Sequence, residues 1–384
     1  MRVLLAFDKF KDSLTAPAAC AIAADCLRTR QPTWELDLCP LADGGEGFAE
    51  ILTRAADGQL IVRTVTGPRG APTTAHFGLV PLNHIPAAAR TLLDLPAAPA
   101  DARIAIIEMA SASGLALLST DARDPWHASA QGTGQLIRAA ADLGAAAILL
   151  GVGGSATNDL GLTALAELGF SFHDGAGVPI HPPLPATWPR IAAIRGSALP
   201  LPPIRIACDV TNPLLGPRGA AAVYGPQKGL RATDHARLEA ESARLAHLLC
   251  AHTRQSISLL DVSGAGAAGG IAFGLMAATG ARLLPGFDLV SSWLDLEKRL
   301  AAADIVITGE GRFDASSLEG KGPGAIAARA LALTKPVLVF AGAVLAASRP
   351  GLSLHAITPP GTPLPEALRT APQNLAASVQ RAFS

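Results

Sequence analysis

Apolar runs recur along the chain, and most end in glycines mixed with acidic, amide or hydroxyl side chains. Arg2 to Phe7, Trp34 to Cys39, Arg103 to Glu108, Ala145 to Leu150, Ile204 to Cys208, Ser256 to Val262, Asp304 to Thr308, Lys335 to Ala341 and Leu354 to Ile357 read as strands. Ile61 to Thr66 and Thr73 to Val80 alternate across Gly67-Pro68-Arg69-Gly70, a hairpin pattern. Between the strands lie helical stretches. Ser13 or Thr15 is placed to cap one that runs to Arg30, with Pro17 in its first turn. Others end near Ala56 and Leu333 or cover Ala128 to Leu143, Leu160 to Leu168, Thr233 to Ala251 and Asn374 to Phe383. Pro81 to Ala102 reads as a connecting excursion and Phe170 to Leu201 as loop-rich. Strands alternating with helices predict an α/β fold with parallel sheet.

The polar loops at strand ends are 8–13, 43–47, 108–114, 153–159, 209–216 and 309–322. A parallel sheet gathers such ends on its carboxyl edge, where ligands bind. In Gly151 to Asp159 a strand breaks into glycines before a helix, which aims backbone N–H groups at an anion. Asn158 and Asp159 stand beside that point, although Asp159 also fits as a helix cap. Asp43 and Glu46 have the spacing of a capping box, yet the glycines around them exceed what a cap needs and suit close approach of a ligand. The loop after Thr308 is the most polar, with Glu310, Arg312, Asp314 and Lys321 between glycines.

Composition narrows the chemistry. A chain of 384 residues exceeds one typical core, so two domains are expected. With 16% charged residues and zero net charge it has no global field for nucleic acid or acidic membranes. The start of the chain does not read as a signal peptide and no run is apolar enough to span a bilayer, so a cytoplasmic location is expected. The cysteines lack zinc spacing and read as reduced thiols. No His stands in the motif cores, which disfavours a Ser-His-Asp hydrolase, and Gly320-Lys321-Gly322 does not complete a Walker A loop. Carboxylates with Lys and Arg suit Mg²⁺ and phosphate. The competing reading is an NAD-linked 2-hydroxyacid oxidoreductase. It rests on the GxGxxG at 264–269 and the GxGxxA variant at 151–156, with Asp288 and Asp174 downstream.

The motifs together resemble the bacterial glycerate kinase family, the class unrelated to the sugar-kinase and ribokinase types. Its APDSFKGSLSA pattern corresponds to Ala6 to Ala16, ADGGEG to Ala42 to Gly47, and GxGGSATND to Gly151 to Asp159. CDVxNPLxG corresponds to Cys208 to Gly216 and TGEGxxDxQSxxGKxP to Thr308 to Pro323. Phe7, Lys9, Leu160 and Ser316 depart from the pattern, where the family carries Pro, Ser, Gly and Gln. The resemblance implies two α/β domains around a cleft. The first is a Rossmann-like three-layer parallel sheet built from both chain ends (1–66 with 286–384), and the second (67–285) is inserted. It also implies transfer of the ATP γ-phosphoryl to D-glycerate, a small-molecule substrate, with the phosphorylated oxygen (O2 or O3) and the oligomeric state left open.

Roles follow from the chemistry of phosphoryl transfer. Asp159 is the leading general base, with Asp43 or Asp209 as the alternative base or a Mg²⁺ ligand. Glu310 and Asp314 are candidate Mg²⁺ ligands. Lys11, Arg312 and Lys321 are candidates for the substrate carboxylate or the ATP phosphates. The N–H groups of Gly153 to Ala156 would cradle an anion, and Asp8, Ser13, Glu46, Gly154, Ser155, Asn158 and Asn212 complete the expected binding set.

Overall fold

The computed structural model describes residues 1–99, 101–314, 317, 322–348 and 350–383. In chain order the strands are β1 (Arg2–Phe7), β2 (Glu35–Leu38), β3 (Gln59–Thr66), β4 (Pro72–Pro81), β5 (Arg103–Glu108), β6 (Ala147–Gly151), β7 (Phe170–His173), β8 (Pro179–Ile180), β9 (Ala193–Gly196), β10 (Ile204–Ala207), β11 (Arg282–Leu284), β12 (Ile305–Phe313), β13 (Val337–Val344) and β14 (Leu352–Ala356). The chain divides into two compact units, Met1–Asp43 with Val290–Ser384, and Gly44–Leu289. The crossings fall at 43/44 and 289/290, against the expected 66/67 and 285/286. β3 accounts for the first difference: it pairs with β4 along its whole length and so belongs to the second unit.

The first unit is a five-stranded sheet in the order β14-β13-β12-β1-β2, parallel throughout. Val3 to Phe7 are all buried, as expected of a strand covered on both faces. The helix Ala16–Arg30 begins at Thr15, whose hydroxyl accepts the Ala18 N–H, while the Ser13 hydroxyl donates instead to Leu368 O. β12 continues five residues beyond the expected end at Thr308, because pairing with β13 carries on through Phe313. Glu310 and Arg312 therefore stand on a strand, not in a loop.

The second unit holds the sheet β11-β10-β6-β5-β4-β3. β3, β4 and β5 pair antiparallel, and β5, β6, β10 and β11 pair parallel. Its core runs from Phe77 and Ile107 through Leu150 to Trp188 and Phe273. The stretch expected to be loop-rich contains a small antiparallel sheet, β8-β7-β9, with Phe172 and Ile194 facing the core. The stretch Ser256 to Val262 is a 3-10 turn, Ile257–Asp261, and not a strand. The GxGxxG that follows thus lacks the strand a dinucleotide fold needs. Its glycines let backbones meet: a Cβ on Gly266 would lie 2.3 Å from Pro213 O, and one on Gly269 only 1.9 Å from Thr157 O.

Leu160 sits at φ +54°, the left-handed region that favours glycine. Its side chain is nonetheless fully packed in the core. Leu160→Gly would relieve about 1–2 kcal/mol of backbone cost but lose roughly 3–5 kcal/mol of burial and cavity energy. The variant should therefore be less stable by a few kcal/mol, read as a lower urea midpoint. An unchanged or higher midpoint would show that the backbone term dominates.

Candidate active site

In the first unit strand order reverses at β1: the chain steps from β1 to β2 on one side and from β12 through β13 to β14 on the other. Such a switch point opens a crevice at the carboxyl ends of the strands. Three adjacent strands supply carboxylates there. Asp8 follows β1 and its N–H bonds Gly309 O; Asp43 lies beyond β2; Glu310 stands on β12. Lys9 Nζ lies 3.3 Å from Asp43 Oδ1, and Arg312 Nε lies 3.0 Å from Asp314 Oδ2. Gly322, first in the helix Gly322–Ala332, is placed so that a Cβ would come 3.7 Å from Asp8 Oδ2. Lys11 is exposed, its backbone against Gly311. Lys321 lies outside the described residues.

Glu310 is the unusual member. Its Oε1 is buried and has no hydrogen-bond partner. Burial pushes its carboxyl up to about 7, and the nearby charges of Asp8, Asp314 and Asp43 push the same way, against a hydrogen bond with Ser317. A buried carboxylate oxygen facing other carboxylates lacks a cation. Among the described residues no three His, Cys, Asp or Glu side chains group to hold a metal ion.

In the second unit, the loops 44–47 and 153–159 pack directly on one another. Gly153 N–H bonds Gly44 O at 2.9 Å, and a Cβ on Gly153 would meet Gly45 Cα at 2.7 Å. Ala156 N–H bonds Ser113 O. Two of the four N–H groups expected to cradle an anion are thus used inside the protein, and the helix that follows, Leu162–Glu167, is short and starts later than expected. The glycines here serve close backbone approach first. The capping box is also absent: Gly47 precedes the helix Phe48–Ala55 without a side-chain cap, and Glu108 Oε2, from the end of β5, accepts the Ala49 N–H. Glu46 instead lies over Gly154, whose Cβ would be 3.0 Å from Glu46 Oε1.

Asp159 is fully buried. Its Oδ2 accepts from Ala130 N–H and the Thr163 hydroxyl, and its Oδ1 from Gly161 N–H. Burial raises its pKa, and these hydrogen bonds pull the other way. Occupied oxygens without solvent access suit Asp159 to bracing two helix starts, the capping alternative that its position also allowed. Asp209 Oδ2 accepts Phe287 N–H at the start of the helix Gly286–Trp293. Asn212 uses both ends of its amide, toward Arg218 O and from the Tyr224 hydroxyl, so it orders its own loop. Asn158 is the reverse: its amide is buried and neither polar atom has a partner.

Sequence reasoning missed Lys228. It is buried, and its Nζ donates to Ser155 Oγ at 2.9 Å and Thr157 O at 2.7 Å. Burial brings its ammonium down to about 7, although Asp159 opposes the shift. A signal was present: the chain has six lysines, and this one stands in the turn Gly225-Pro226-Gln227-Lys228-Gly229 rather than on an amphipathic helix.

The fold and these clusters define an α/β enzyme whose acidic crevice lies at the carboxyl edge of a parallel sheet. The family model described as the glycerate kinase family matches residues 3–384. A glycerate kinase of Bacillus subtilis is 37% identical over 380 residues, 97% of this chain and 94% of that one. The glycerate 2-kinase of Escherichia coli K12 is 35% identical over 355 residues, 90% of this chain and 86% of that one. The crystal structure of a candidate glycerate kinase 2 from Salmonella typhimurium LT2 superposes with a TM-score of 0.74 at 36% identity, covering 100% of this chain and 97% of that one. The chain belongs to the glycerate kinase family. It is a kinase, and membership implies use of ATP. The oxidoreductase reading gains nothing from these comparisons, and its glycines have a packing reason. No helix among the described residues is long and apolar enough to cross a membrane.

Proposed function

We propose that this enzyme transfers the γ-phosphoryl group of ATP to O2 of D-glycerate, in the cytoplasm, with Mg²⁺. The observation that carries the site assignment is the unpartnered, buried oxygen of Glu310 at the switch point of the first sheet. The choice of O2 is supported by the E. coli relative's name.

Glu310 and Asp314 would hold the metal, with Asp8 beside them. Mg²⁺, when bound, neutralises charge on the transferring phosphoryl group. Asp43 takes the proton of the acceptor hydroxyl. Its side chain is about half exposed, and Lys9 fixes one of its oxygens. Asp159 and Asp209 are set aside as bases because each is committed to a helix start. Arg312 and Lys11 are exposed cations on the same sheet edge and orient phosphate oxygens.

³¹P NMR of the product made from ATP and D-glycerate tests this directly. A phosphate on O2 is split into a doublet by the single proton on that carbon, and one on O3 into a triplet. A triplet would move the assignment to O3. No new phosphomonoester would overturn the function.

A further inference from the structure

Lys228 is a cation whose charge Asp159 favours without pairing with it. Among the described residues it makes no salt bridge; the oxygens of Asp159 are already engaged by other donors. The other charges near its turn are Arg123, whose guanidinium donates to Gln227 O, and the exposed Arg231–Asp234 pair. An ammonium has three N–H bonds, and two are used, on Ser155 Oγ and Thr157 O. Burying such a charge is costly unless it is paired and hydrogen-bonded.

The bond to Ser155 has a directional consequence. An oxygen that accepts from Lys228 must turn its own hydrogen elsewhere, and that hydrogen finds no acceptor among the described residues. Beside Ser155 the chain emerges at Gly154, which is exposed. Three residues beyond Ser155, Asn158 has an unpartnered amide. With the N–H groups of Gly153 and Ala156 taken, few donors remain. A handful of donors fits one carboxylate and falls short of a triphosphate.

We propose that Lys228 is a positioning residue that acts through Ser155, holding its hydroxyl as a donor to the carboxylate of the hydroxy-acid substrate at the Gly153–Gly154 turn. The inference rests on the acceptor being a small hydroxy acid such as D-glycerate.

Lys228→Met, Ser155→Ala and the double variant are to be compared in steady-state kinetics and in thermal shift with D-glycerate. Each single variant should raise KM for D-glycerate by about tenfold or more, the effect of one charge-assisted hydrogen bond. The values of kcat and of KM for ATP should stay within about threefold. The double variant should be no worse than the poorer single one, because both remove the same hydrogen bond. Lys228→Met removes a buried charge, so its fold should hold, and a melting curve checks that. In the wild type, KM for D-glycerate should rise as pH increases above about 7, where the ammonium loses its proton; in Lys228→Met that rise should be missing.

Additive losses, an unchanged KM for D-glycerate, a rise in KM for ATP instead, or the same pH dependence in Lys228→Met would each overturn the proposal. Wild-type enzyme that turns over D-glycerate while the variants match it would sink this inference alone. Wild-type enzyme with neither turnover nor a thermal shift would sink the functional reading as well.

Discussion

Asp43→Asn should lower turnover by about 10²–10⁴-fold, the usual contribution of a general base. Asn keeps the size of the side chain and can still bond Lys9, but it cannot take a proton. The Asp43 side chain is about half exposed and does not cap the helix Phe48–Ala55, so the melting temperature should move by no more than about 2 °C. Asp159→Asn should do the opposite. Three donors point at that buried carboxylate, and an amide presents an NH₂ group to one side of them. Leaving one or two donors unpaired costs about 2–4 kcal/mol, read as a melting temperature lower by several degrees. The protein that remains folded should keep kcat within about tenfold of wild type. Full stability with a collapse of kcat in Asp159→Asn, or near-normal kcat in Asp43→Asn, would return the base assignment to Asp159.

Glu310→Gln and Asp314→Ala should each raise the Mg²⁺ concentration for half-maximal rate by at least about tenfold, and excess Mg²⁺ should restore part of the rate. The expectation comes from the buried Oε1 of Glu310, which has carboxylates as neighbours and no donor. Binding can also be read without turnover. Mg²⁺ with ADP should raise the melting temperature of wild-type protein, because a ligand that binds only the folded state stabilises it. That rise should shrink in both variants. Unchanged Mg²⁺ titrations and an unchanged thermal shift would leave these residues as an acidic strand end with no metal role.

The central strands of both large sheets were legible because they are mostly apolar runs that end at acidic or glycine residues. β1 and β5 have the bounds that periodicity predicts. The helix Ala16–Arg30 begins at one of the two expected caps. β12 and Ser256 to Val262 were misread for related reasons. Glu310 and Arg312 look like loop residues, yet pairing with β13 keeps them extended. The apolar run Ile257 to Leu260 looks like a strand, yet Ser256 caps a 3-10 turn with its hydroxyl. Local pattern cannot register a partner strand that arrives from elsewhere in the chain.

By itself the sequence determined the α/β class, the polar loops at the strand ends and, through five ordered motifs, the family. Each rests on local signals: apolar runs, turn residues and contiguous motifs. Which acidic residues are tied to helix starts was decided by tertiary structure. Asp43, Asp159 and Asp209 all follow strands, and each could be a base or a cap on spacing alone. Burial and hydrogen-bond partners separate them: Asp159 is buried under three donors, Asp209 accepts Phe287 N–H, and Asp43 is about half exposed. The same physics brought Glu108 to the start of the helix Phe48–Ala55 and Lys228 beneath Ser155. Those pairs lie 59 and 73 residues apart in the chain, and only the folded chain brings them within hydrogen-bond distance.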